Sequence, residues 1–429
     1  MMKFGDLRGI LQYVPQFRGR TFVIALDGAV VAGENFSNIL LNLAVLRSLN
    51  VKIVLIYGAA YQIASLADKR GVKLSNSDAT GPTDAATLEL ALDAITRLGS
   101  DVTRDLTALK IRTVTANALS AHPAGIVRGV DQGHTGKMVR VDHDMLRGFL
   151  EQELLPLVPP LGYDGSGHSL RMNSDQVAMS VGVALKADKI IFVTEEEPDF
   201  GLDLQSARQI SADQGDALLK KAENDQVSPG LHSKLKQAIR ACREGVSRVH
   251  LVNGNRDDAL LAELFSNEGI GTMVFADDYR QIRPATPADV DEMLLMMRRA
   301  VEDEQLVERD KGEILERLQD YQVMEIDGNV VGVGAMHPYP EENAAELACI
   351  YVKGDHEGQG YGRELIEHLE KMAKSLGASL LFMLSTQTAE YFTAKFSYLE
   401  CSDLGQMPEQ RRKKWEQNGR NARFLVKSV

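Results

Sequence analysis

The sequence predicts an α/β protein of two domains, and three observations carry that prediction. Apolar runs of strand length alternate with segments of helical periodicity through the first two thirds of the chain. Such repeated βα units build a mainly parallel sheet that is covered on both faces. At 429 residues the chain is longer than one ordinary hydrophobic core supports. Late in the chain, alternating strands lead into a glycine-rich turn and an amphipathic helix.

The composition is that of an ordinary globular protein, with 44% hydrophobic and 25% charged residues. The formal net charge of −12 argues against a nucleic-acid partner, because phosphate contacts need concentrated lysine and arginine. Cys242, Cys349 and Cys401 are few and widely spaced, which fits a reducing compartment. No metal-ligand spacing occurs among them, so we expect no metal.

The N-terminal segment lacks the features of a targeting signal. Asp6, Arg8 and Gln12 interrupt the apolar core that a signal peptide needs, and the longest apolar stretches, such as 51–60, are far shorter than a membrane span. We therefore expect a cytoplasmic protein with no membrane partner. Residues 4–17 are predicted to form a short amphipathic helix that packs on its own domain or on a neighbouring subunit.

The elements of the first domain follow from periodicity and turn residues. In order, the predicted strands are 21–26, 51–58, 154–162, 189–194 and 248–254. The predicted helices are 38–49, 63–70, 84–109, 177–185, 212–222, 231–244 and 259–265. The segment 133–142 is predicted to form a hairpin.

The polar segment 275–287 contains two prolines and is predicted to separate the domains, which gives domains 1–278 and 279–429. Beyond it, a helix over 290–301 precedes two alternating strands, and Asp327-Gly328 between them is typical of a hairpin turn. The apolar run 347–352 then leads into a turn with three glycines. The helix that follows carries an apolar face.

The glycine-rich turn suits a phosphate ligand. Glycines let the backbone approach a ligand closely, and the N–H groups of a first helical turn point outward with the positive end of the helix dipole. The alternative is a plain tight connection between a strand and a helix. The segment Glu357-Gly358-Gln359-Gly360-Tyr361-Gly362 resembles the acyl-CoA pyrophosphate loop of the GCN5-related N-acetyltransferase family. It departs from that family at Glu357, where glutamine or arginine is usual.

The resemblance extends over residues 18–429. Further segments that carry it are GENFSNI, VKIVLIYGAAYQI, SGHSLRMNSDQVA, ALLAELFSNEGIGTM, FMLSTQTAEYF and RRKKWEQNGRNARFLV. The N-terminal part is similar to the amino-acid kinase fold, which implies a three-layer αβα sandwich with a mainly parallel sheet, followed by a smaller α/β N-acetyltransferase domain. The two in this order resemble the bacterial N-acetylglutamate synthase family.

That resemblance implies transfer of acetyl from acetyl-CoA to L-glutamate, which yields N-acetyl-L-glutamate and CoA in the first step of arginine biosynthesis. It implies regulation by L-arginine and a homo-oligomer, with a hexamer suspected. The cosubstrate acetyl-CoA would be bound by Cys349, Ile350, Val352, Gly358, Gln359, Gly360, Tyr361, Gly362 and Arg363.

The kinase-like domain departs from active kinases of its fold. Active members have a lysine and two glycines at the end of the first strand, where this chain has Ala25-Leu26-Asp27-Gly28. Loss of the lysine and gain of Asp27 oppose phosphoryl transfer, which depends on positive charge around the phosphates. Three glutamates at 195–197 would repel a nucleotide. Asn173 and Asp175 match the family, although capping of a helix explains them equally well. We expect a regulatory domain without kinase activity.

The resemblance places an arginine site at Tyr13, His250, Glu263, Ser266, Gly269 and Gly271. Glu263 suits that role, because a carboxylate pairs bidentately with a guanidinium. The alternative is that Glu263 lies on a solvated helical face and that His250 is a satisfied interior residue.

Direct transfer from a thioester to an amine needs a neutral amine, a stabilised oxyanion and a proton for the departing thiolate. The resemblance assigns Glu346 as the base and Ser385 as the proton donor to the CoA sulfur, while backbone N–H groups near Cys349 and Ile350 suit the oxyanion. Alternatives remain for some of these residues. Ser385 could instead form hydrogen bonds with the turn at the end of its strand. A covalent Cys349 intermediate is disfavoured, because an apolar strand raises the pKa of a thiol.

An acceptor with two carboxylates calls for arginine, whose planar guanidinium binds them bidentately. The residues that the resemblance assigns to glutamate are Val307, Arg309, Cys349, Arg411 and Arg420. Ala422 stands where relatives have a serine, and the basic run 411–414 has the alternative of being a solvated surface. Two other functions stay open: an acetyltransferase for another amine, such as a protein lysine, and a non-catalytic arginine-responsive binding protein.

Overall fold

The computed structural model describes residues 17–201, 208–221, 227–265, 269–276, 280–302, 306–326, 329–354, 360–417 and 422–428. The chain forms two compact units, one up to residue 277 and one from residue 278. Each unit has its own sheet and its own hydrophobic core. The helix predicted for residues 4–17 lies outside the described residues, apart from Phe17.

The elements of the first unit alternate as the sequence predicts. Its strands are β1 (Thr21–Leu26), β2 (Lys52–Tyr57), β3 (Thr113–Thr115), β4 (Leu119–Pro123), β5 (Ile126–Val127), β6 (Val130–Asp131), β7 (Gly136–Val141), β8 (Leu155–Val158), β9 (Leu161–Tyr163), β10 (Ser169–Arg171), β11 (Lys189–Thr194), β12 (Gln209–Ser211), β13 (Arg248–Asn253) and β14 (Thr272–Phe275). Its helices are α1 (Gly28–Ala32), α2 (Phe36–Ser48), α3 (Ala60–Arg70), α4 (Ala85–Ala108), α5 (His143–Glu151), α6 (Ser174–Leu185), α7 (Ala212–Lys221), α8 (Pro229–Arg243) and α9 (Ala259–Leu264). Side chains cap several of these helices, as Asn173 does by accepting a hydrogen bond from the N–H of Gln176.

The main sheet of the first unit has the strand order β12–β14–β13–β11–β1–β2–β8–β3. Every neighbouring pair is parallel except β13 with β14. Both faces of the sheet are buried: Val23 and Ala25 of β1 belong to one hydrophobic core, and Ile24 belongs to the other. This confirms the predicted three-layer αβα sandwich, and it explains why the strands appear in the sequence as continuous apolar runs.

A smaller sheet with the order β10–β9–β4–β7 joins the first unit. The hairpin predicted for residues 133–142 is wrong, because that segment supplies only β7, whose antiparallel partner β4 precedes it in the chain. The residues just before β7 are held by a distant loop instead. The hydroxyl of Thr135 donates to the carbonyl of Gly81 at 2.7 Å and pairs with the hydroxyl of Thr83 at 2.8 Å.

The second unit is built around a separate, mostly antiparallel sheet. Its strands are β15 (Arg280–Pro284), β16 (Tyr321–Ile326), β17 (Asn329–Tyr339), β18 (Ala344–Val352), β19 (Leu380–Ser385), β20 (Leu399–Glu400) and β21 (Arg423–Ser428). Its α-helices are α10 (Val290–Glu302), α11 (Lys311–Glu316), α12 (Tyr361–Ser375), α13 (Ala389–Phe396) and α14 (Glu409–Gln417), and short 3₁₀ turns cover Pro287–Asp289, Leu318–Asp320, Pro340–Glu342 and Leu404–Gln406. The strand order is β15–β16–β17–β18–β19–β21–β20, and β18 with β19 is the parallel pair.

Helices cover both faces of this second sheet. Leu365 and Leu369 of α12 are fully buried in the core on one face, and Met293 of α10 is fully buried in the core on the other. Gly334 of β17 lets α12 approach closely, because a Cβ built there would lie 2.7 Å from the Cδ1 atom of Leu369. Within the described residues, no helix has the length and apolar character needed to cross a lipid bilayer.

The packing of the core beneath α12 can be tested with the same substitution, leucine to alanine, at a buried and at an exposed position. Leu369→Ala should lower the free energy of unfolding of the second unit by about 2–5 kcal/mol, because it leaves a cavity in a closed core. Leu376→Ala, at the exposed end of the same helix, should change it by less than about 0.5 kcal/mol. Trp415 is the single tryptophan of the chain and lies in α14, so urea unfolding followed by its fluorescence reports on this unit. Equal losses in both variants would contradict the packing.

Candidate active site

The sheet of the second unit opens between β18 and β19. The parallel pairing of these strands covers Ala344, Ala345 and Glu346 of β18, opposite Leu380–Phe382 of β19. Beyond Glu346, β18 continues to Val352 with no further ladder partner on that side among the described residues. Its backbone N–H and C=O groups there face a gap, so an extended polar ligand can pair with them.

A bulge in β18 lies beside this gap. The register between β17 and β18 shifts so that Cys349 and Ile350 together oppose Gly334. Cys349 has a φ of 52°, in the left-handed region that residues other than glycine seldom adopt. A bulge turns peptide groups out of the ladder. The N–H groups that the sequence nominates for the oxyanion therefore lie at a distortion of the strand.

Glu346 and Arg411 form a buried ion pair next to the gap. Glu346 is 3% exposed, and the Nε atom of Arg411 lies 2.9 and 2.8 Å from its two carboxylate oxygens. Tyr339 of β17 donates its hydroxyl to Oε2 at 3.4 Å. Burial raises the pKa of Tyr339 to about 12, so the phenol keeps its proton at neutral pH. The predicted base and a predicted substrate-binding arginine thus meet directly.

Arg309 approaches the same region from the segment that precedes α11. One of its terminal nitrogens, Nη1, donates to the hydroxyl of Tyr321 at 3.2 Å, while its Nε has no hydrogen-bond partner among the described residues. Cys349 is buried beside them, and burial raises the pKa of its thiol. A thiol that keeps its proton is a weak nucleophile, so direct acetyl transfer is favoured over a covalent intermediate.

The glycine-rich turn leads into α12. Gly360 precedes the helix with a φ of 82°, a conformation that glycine adopts without strain. A Cβ built at Gly362 would have a single neighbour within 4 Å, the Cγ2 atom of Val352 at 3.9 Å. The first turn of α12, which includes Tyr361 and Arg363, is therefore open beside the end of β18, and its N–H groups suit a phosphate. The predicted residues Gly358 and Gln359 lie outside the described residues.

Ser385 ends β19 on the other border of the gap. Its Oγ accepts a hydrogen bond from the N–H of Thr388 at 3.1 Å and pairs with the Thr388 hydroxyl at 2.9 Å. The serine therefore ties off the end of the strand, which was the alternative to a role as proton donor. Its proposed role in proton donation stays a prediction, because an Oγ that accepts from a backbone N–H keeps its own proton to donate.

Two further residues are nominated around the acceptor. Val307 is 46% exposed, and Arg420 lies outside the described residues. Tyr391 of α13 is 45% exposed. Its ring covers Phe392 and Phe396 from the surface instead of filling the core.

His250 and Glu263 form a buried pair in the first unit. The Nδ1 atom of His250 lies 2.6 Å from Oε1 of Glu263, and Oε2 accepts from the N–H groups of Ile270 and Gly271, both at 2.8 Å. Burial opposes the charge, yet these donors hold the pKa of Glu263 at about 2. Burial and the nearby ammonium of Lys189 lower the pKa of His250 to about 4. A neutral histidine therefore donates to a charged glutamate.

The predicted alternative of a solvated helical face for Glu263 is wrong, because the residue is 6% exposed. Instead Glu263 anchors the loop that holds Gly269 and Gly271, and Gly269 has a φ of 62°. His250 is a satisfied interior residue, as the alternative for it supposed. Tyr13 and Ser266, also nominated for an effector, lie outside the described residues.

Comparisons with known proteins match both units. The amino acid kinase family model matches residues 20–253, and the acetyltransferase (GNAT) family model matches residues 289–398. An amino-acid acetyltransferase of Pseudomonas paraeruginosa is 34% identical over 396 residues, which cover 90% of each chain. One from Ralstonia nicotianae is 31% identical and covers 98% of this chain and 94% of its own. The chain belongs to the amino-acid acetyltransferase family.

Solved structures agree with this family. The N-acetylglutamate synthase of Neisseria gonorrhoeae complexed with coenzyme A and L-arginine is 27% identical, and the match covers both chains in full with a TM-score of 0.83. The same enzyme complexed with coenzyme A and N-acetyl-glutamate is 29% identical, also over both chains in full, with a TM-score of 0.65. This chain is therefore an acyltransferase with a GNAT domain behind an amino acid kinase domain, as the sequence predicted.

The amino acid kinase unit of this acetyltransferase contains a cavity of about 330 Å³ at the carboxyl ends of its central strands. Lys234, on its wall, is 5% exposed. The Nζ atom of Lys234 lies 2.9 Å from Asp27 and 3.3 Å from Asp175, and Ser233 donates to Asp175 at 2.7 Å. Two carboxylates thus neutralise the cation that a phosphate would need.

Sequence reasoning missed three residues that the fold brings to these sites. Lys234 lies within an ordinary amphipathic helix, and nothing in the sequence links it to Asp27, which is far away along the chain. Tyr339 and Tyr321 lie in strands whose apolar neighbours indicate a core. Only the pairing of β16, β17 and β18 places their hydroxyls beside Arg309 and Glu346, and strand register is not readable from a single sequence.

Substitution of Lys234 should show how much Asp27 and Asp175 destabilise the first unit when their cation is absent. Lys234→Met leaves Asp27 and Asp175 together without their cation, so the first unit should lose about 3–5 kcal/mol of stability. Lys236→Met, two residues further along the same helix and exposed, should cost less than about 0.5 kcal/mol. Native-state hydrogen exchange of β1 and β11 peptides measures both. An equal effect of the two substitutions would argue against the buried triad.

Proposed function

We propose that this amino-acid acetyltransferase transfers the acetyl group of acetyl-CoA to the α-amine of L-glutamate. The observation that carries the proposal is the contact between Glu346 and Arg411 at the edge of the gap between β18 and β19. It brings a carboxylate for proton removal and a guanidinium for carboxylate binding to the same place. An amine that carries no carboxylate, such as a lysine side chain of another protein, would not bind that guanidinium.

The open stretch of β18 and the start of α12 suit acetyl-CoA. The amide-bearing arm of CoA can pair with backbone groups of β18 beyond Glu346, where β19 has turned away. The pyrophosphate can lie at the first turn of α12, which begins beside Val352. This arrangement directs the thioester toward the bulge at Cys349 and Ile350.

The chemistry follows from these placements. The amine adds to the thioester carbon, and Glu346 takes a proton from the attacking nitrogen. The N–H groups at the bulge stabilise the oxyanion. As the carbon–sulfur bond breaks, Ser385 supplies the proton for the thiolate, and the proton on Glu346 then restores the serine. Tyr339 and Arg411 hold Glu346 in position throughout.

Arg411 can serve both Glu346 and the substrate. It contacts Glu346 through Nε alone, and its two terminal nitrogens have no hydrogen-bond partner among the described residues. Those terminal nitrogens can bind a substrate carboxylate while the ion pair stays intact. Arg309, together with Arg420, would take the second carboxylate, and main-chain groups near Val307 and Cys349 would complete the site.

We further propose that residues 279–429 are the catalytic domain and that residues 1–278 are a regulatory domain that senses L-arginine. A related enzyme has been crystallised with L-arginine. In this chain the loop at Gly269 and Gly271 is anchored by Glu263, whose charge would face the guanidinium of arginine. The Asp27–Lys234–Asp175 triad and the glutamates at 195 and 196 on the cavity wall oppose nucleotide binding. A homo-oligomer, with six subunits, completes the proposal.

The catalytic proposal is tested by initial rates with acetyl-CoA and L-glutamate. Glu346→Gln should lower kcat by about 10²–10⁴, because it removes a general base while keeping the shape. Glu342→Gln, an exposed acid in the turn before β18, is the matched control and should leave kcat unchanged. Parallel assays with aspartate, glutamine and a lysine peptide define the acceptor. Equal rates with the peptide, or no turnover of acetyl-CoA, would refute the proposal.

The effector proposal is tested by the arginine concentration that gives half of the full change in rate. In Glu263→Gln, with each rate normalised to that of the same variant without arginine, this concentration should rise tenfold or more, because a charge-assisted contact worth about 1.5–3 kcal/mol is lost. Glu244→Gln, an exposed acid of the same unit, should leave it unchanged. An unaltered arginine response in Glu263→Gln would place the effector elsewhere.

A further inference from the structure

His337 is a buried histidine on the reactive face of the second sheet. It is 2% exposed, and it lies on β17 directly opposite Glu346 of β18. Residues that are directly opposite in an antiparallel pair project from the same face of the sheet, with Cβ atoms about 5 Å apart. The imidazole is therefore a cross-strand neighbour of the proposed base.

Asp320 fixes the tautomer of this histidine. Its Oδ2 atom lies 2.7 Å from Nδ1 of His337 and also accepts from Nε of Arg317 at 3.0 Å. An ionised carboxylate only accepts hydrogen bonds, so Nδ1 carries the proton and Nε2 presents a lone pair. The same arrangement of carboxylate and imidazole orients the base of many hydrolases.

The Nε2 atom has no hydrogen-bond partner among the described residues and is closed off from solvent. The great majority of buried polar atoms in folded proteins have a hydrogen-bond partner, so a buried atom without one is costly. The ring packs edge-on against Tyr321, with centroids 5.9 Å apart, so it is held in place. The ionisable residues that pack around it or behind its partners are Arg317, Asp320, Tyr321, Tyr339, Glu346 and Arg411.

During acetyl transfer, an acceptor ammonium must lose two protons from its nitrogen. The acceptor amine is mostly protonated at neutral pH, so one proton must leave before the nitrogen has a lone pair for attack. A second proton must leave the same nitrogen after the new carbon–nitrogen bond forms. Glu346, held by Arg411, provides one acceptor, and the proposed function leaves the other unassigned.

We propose that His337, oriented by Asp320, accepts the first proton from the acceptor's ammonium through Nε2. The proposal rests on the proposed function. The ammonium N–H bond breaks, its proton goes to Nε2 to give an imidazolium, and the lone pair left on nitrogen attacks the thioester carbon. Glu346 takes the second proton, the carbon–sulfur bond breaks, and Ser385 protonates the thiolate. The proton that Glu346 took is passed back to Ser385, and the imidazolium, which Asp320 stabilises, returns its own proton to solvent as product leaves, so charge and protons balance.

The decisive variant is His337→Phe, which keeps a ring of similar size and removes both nitrogens. At about pH 7 its kcat should fall by about 10²-fold or more, with the KM for acetyl-CoA unchanged. At about pH 9 the deficit should shrink at least tenfold, because more of the acceptor amine is then unprotonated without help. Asp320→Asn should lower kcat in the same direction, because it no longer fixes the tautomer. His368→Phe, on the opposite side of the sheet in α12, is the matched control.

The outcomes separate a chemical role from a structural one. Fluorescence of Trp415 and calorimetric binding of CoA show whether the variants are folded. If His337→Phe is unfolded, the kcat of Asp320→Asn decides between the two roles. A kcat within twofold of wild type, or a deficit equal at both pH values, would overturn the proposal. The wild-type rate with glutamate tests the proposed function separately. The ratio of the variant's kcat to that of wild type is measured with whichever amine the wild type acetylates. The proposed function and the role of His337 can therefore fail independently.

Discussion

The buried ion pair between Glu346 and Arg411 is the interaction on which the site of the second unit depends. It lies at the last point where β18 and β19 are paired. On one side of it the sheet is continuous and its core is closed by α12. On the other side the strands part, and the backbone of β18 is left to a ligand. Loss of one partner from a buried pair is costly, so the pair keeps both side chains at the mouth of the gap.

Buried polar side chains at the proposed sites of the two units differ in their hydrogen-bond partners. In the first unit, Lys234 and His250 are buried with their partners in contact, so each polar group is satisfied within the protein. In the second unit, Arg309 and His337 retain buried nitrogens without a hydrogen-bond partner among the described residues. Satisfied networks rigidify a fold, whereas unsatisfied polar atoms are retained where a ligand completes them.

Local patterns in the sequence predicted many of the fold's strands and helices. The alternation of apolar runs and amphipathic helices placed β1, β2, β11 and β13 within a residue or two of their observed bounds, because parallel strands buried on both faces must be apolar throughout. The hairpin at 133–142 failed, because β7 pairs with β4, which precedes the predicted hairpin, and Thr135 just before β7 contacts Thr83 and Gly81, far away along the chain. A local signal cannot report a distant partner.

The sequence by itself determined the fold class of both domains, because apolar runs and helical periodicity are written in residue type and spacing, whereas Glu346 and the arginines of the second unit were nominated by the family resemblance. Tertiary structure alone decided which of them meet. The pairing of β17 with β18 sets His337 opposite Glu346, and the fold brings Arg411 to that carboxylate and Lys234 to Asp27. Register and long-range packing depend on the whole hydrophobic core, so no single stretch of chain encodes them.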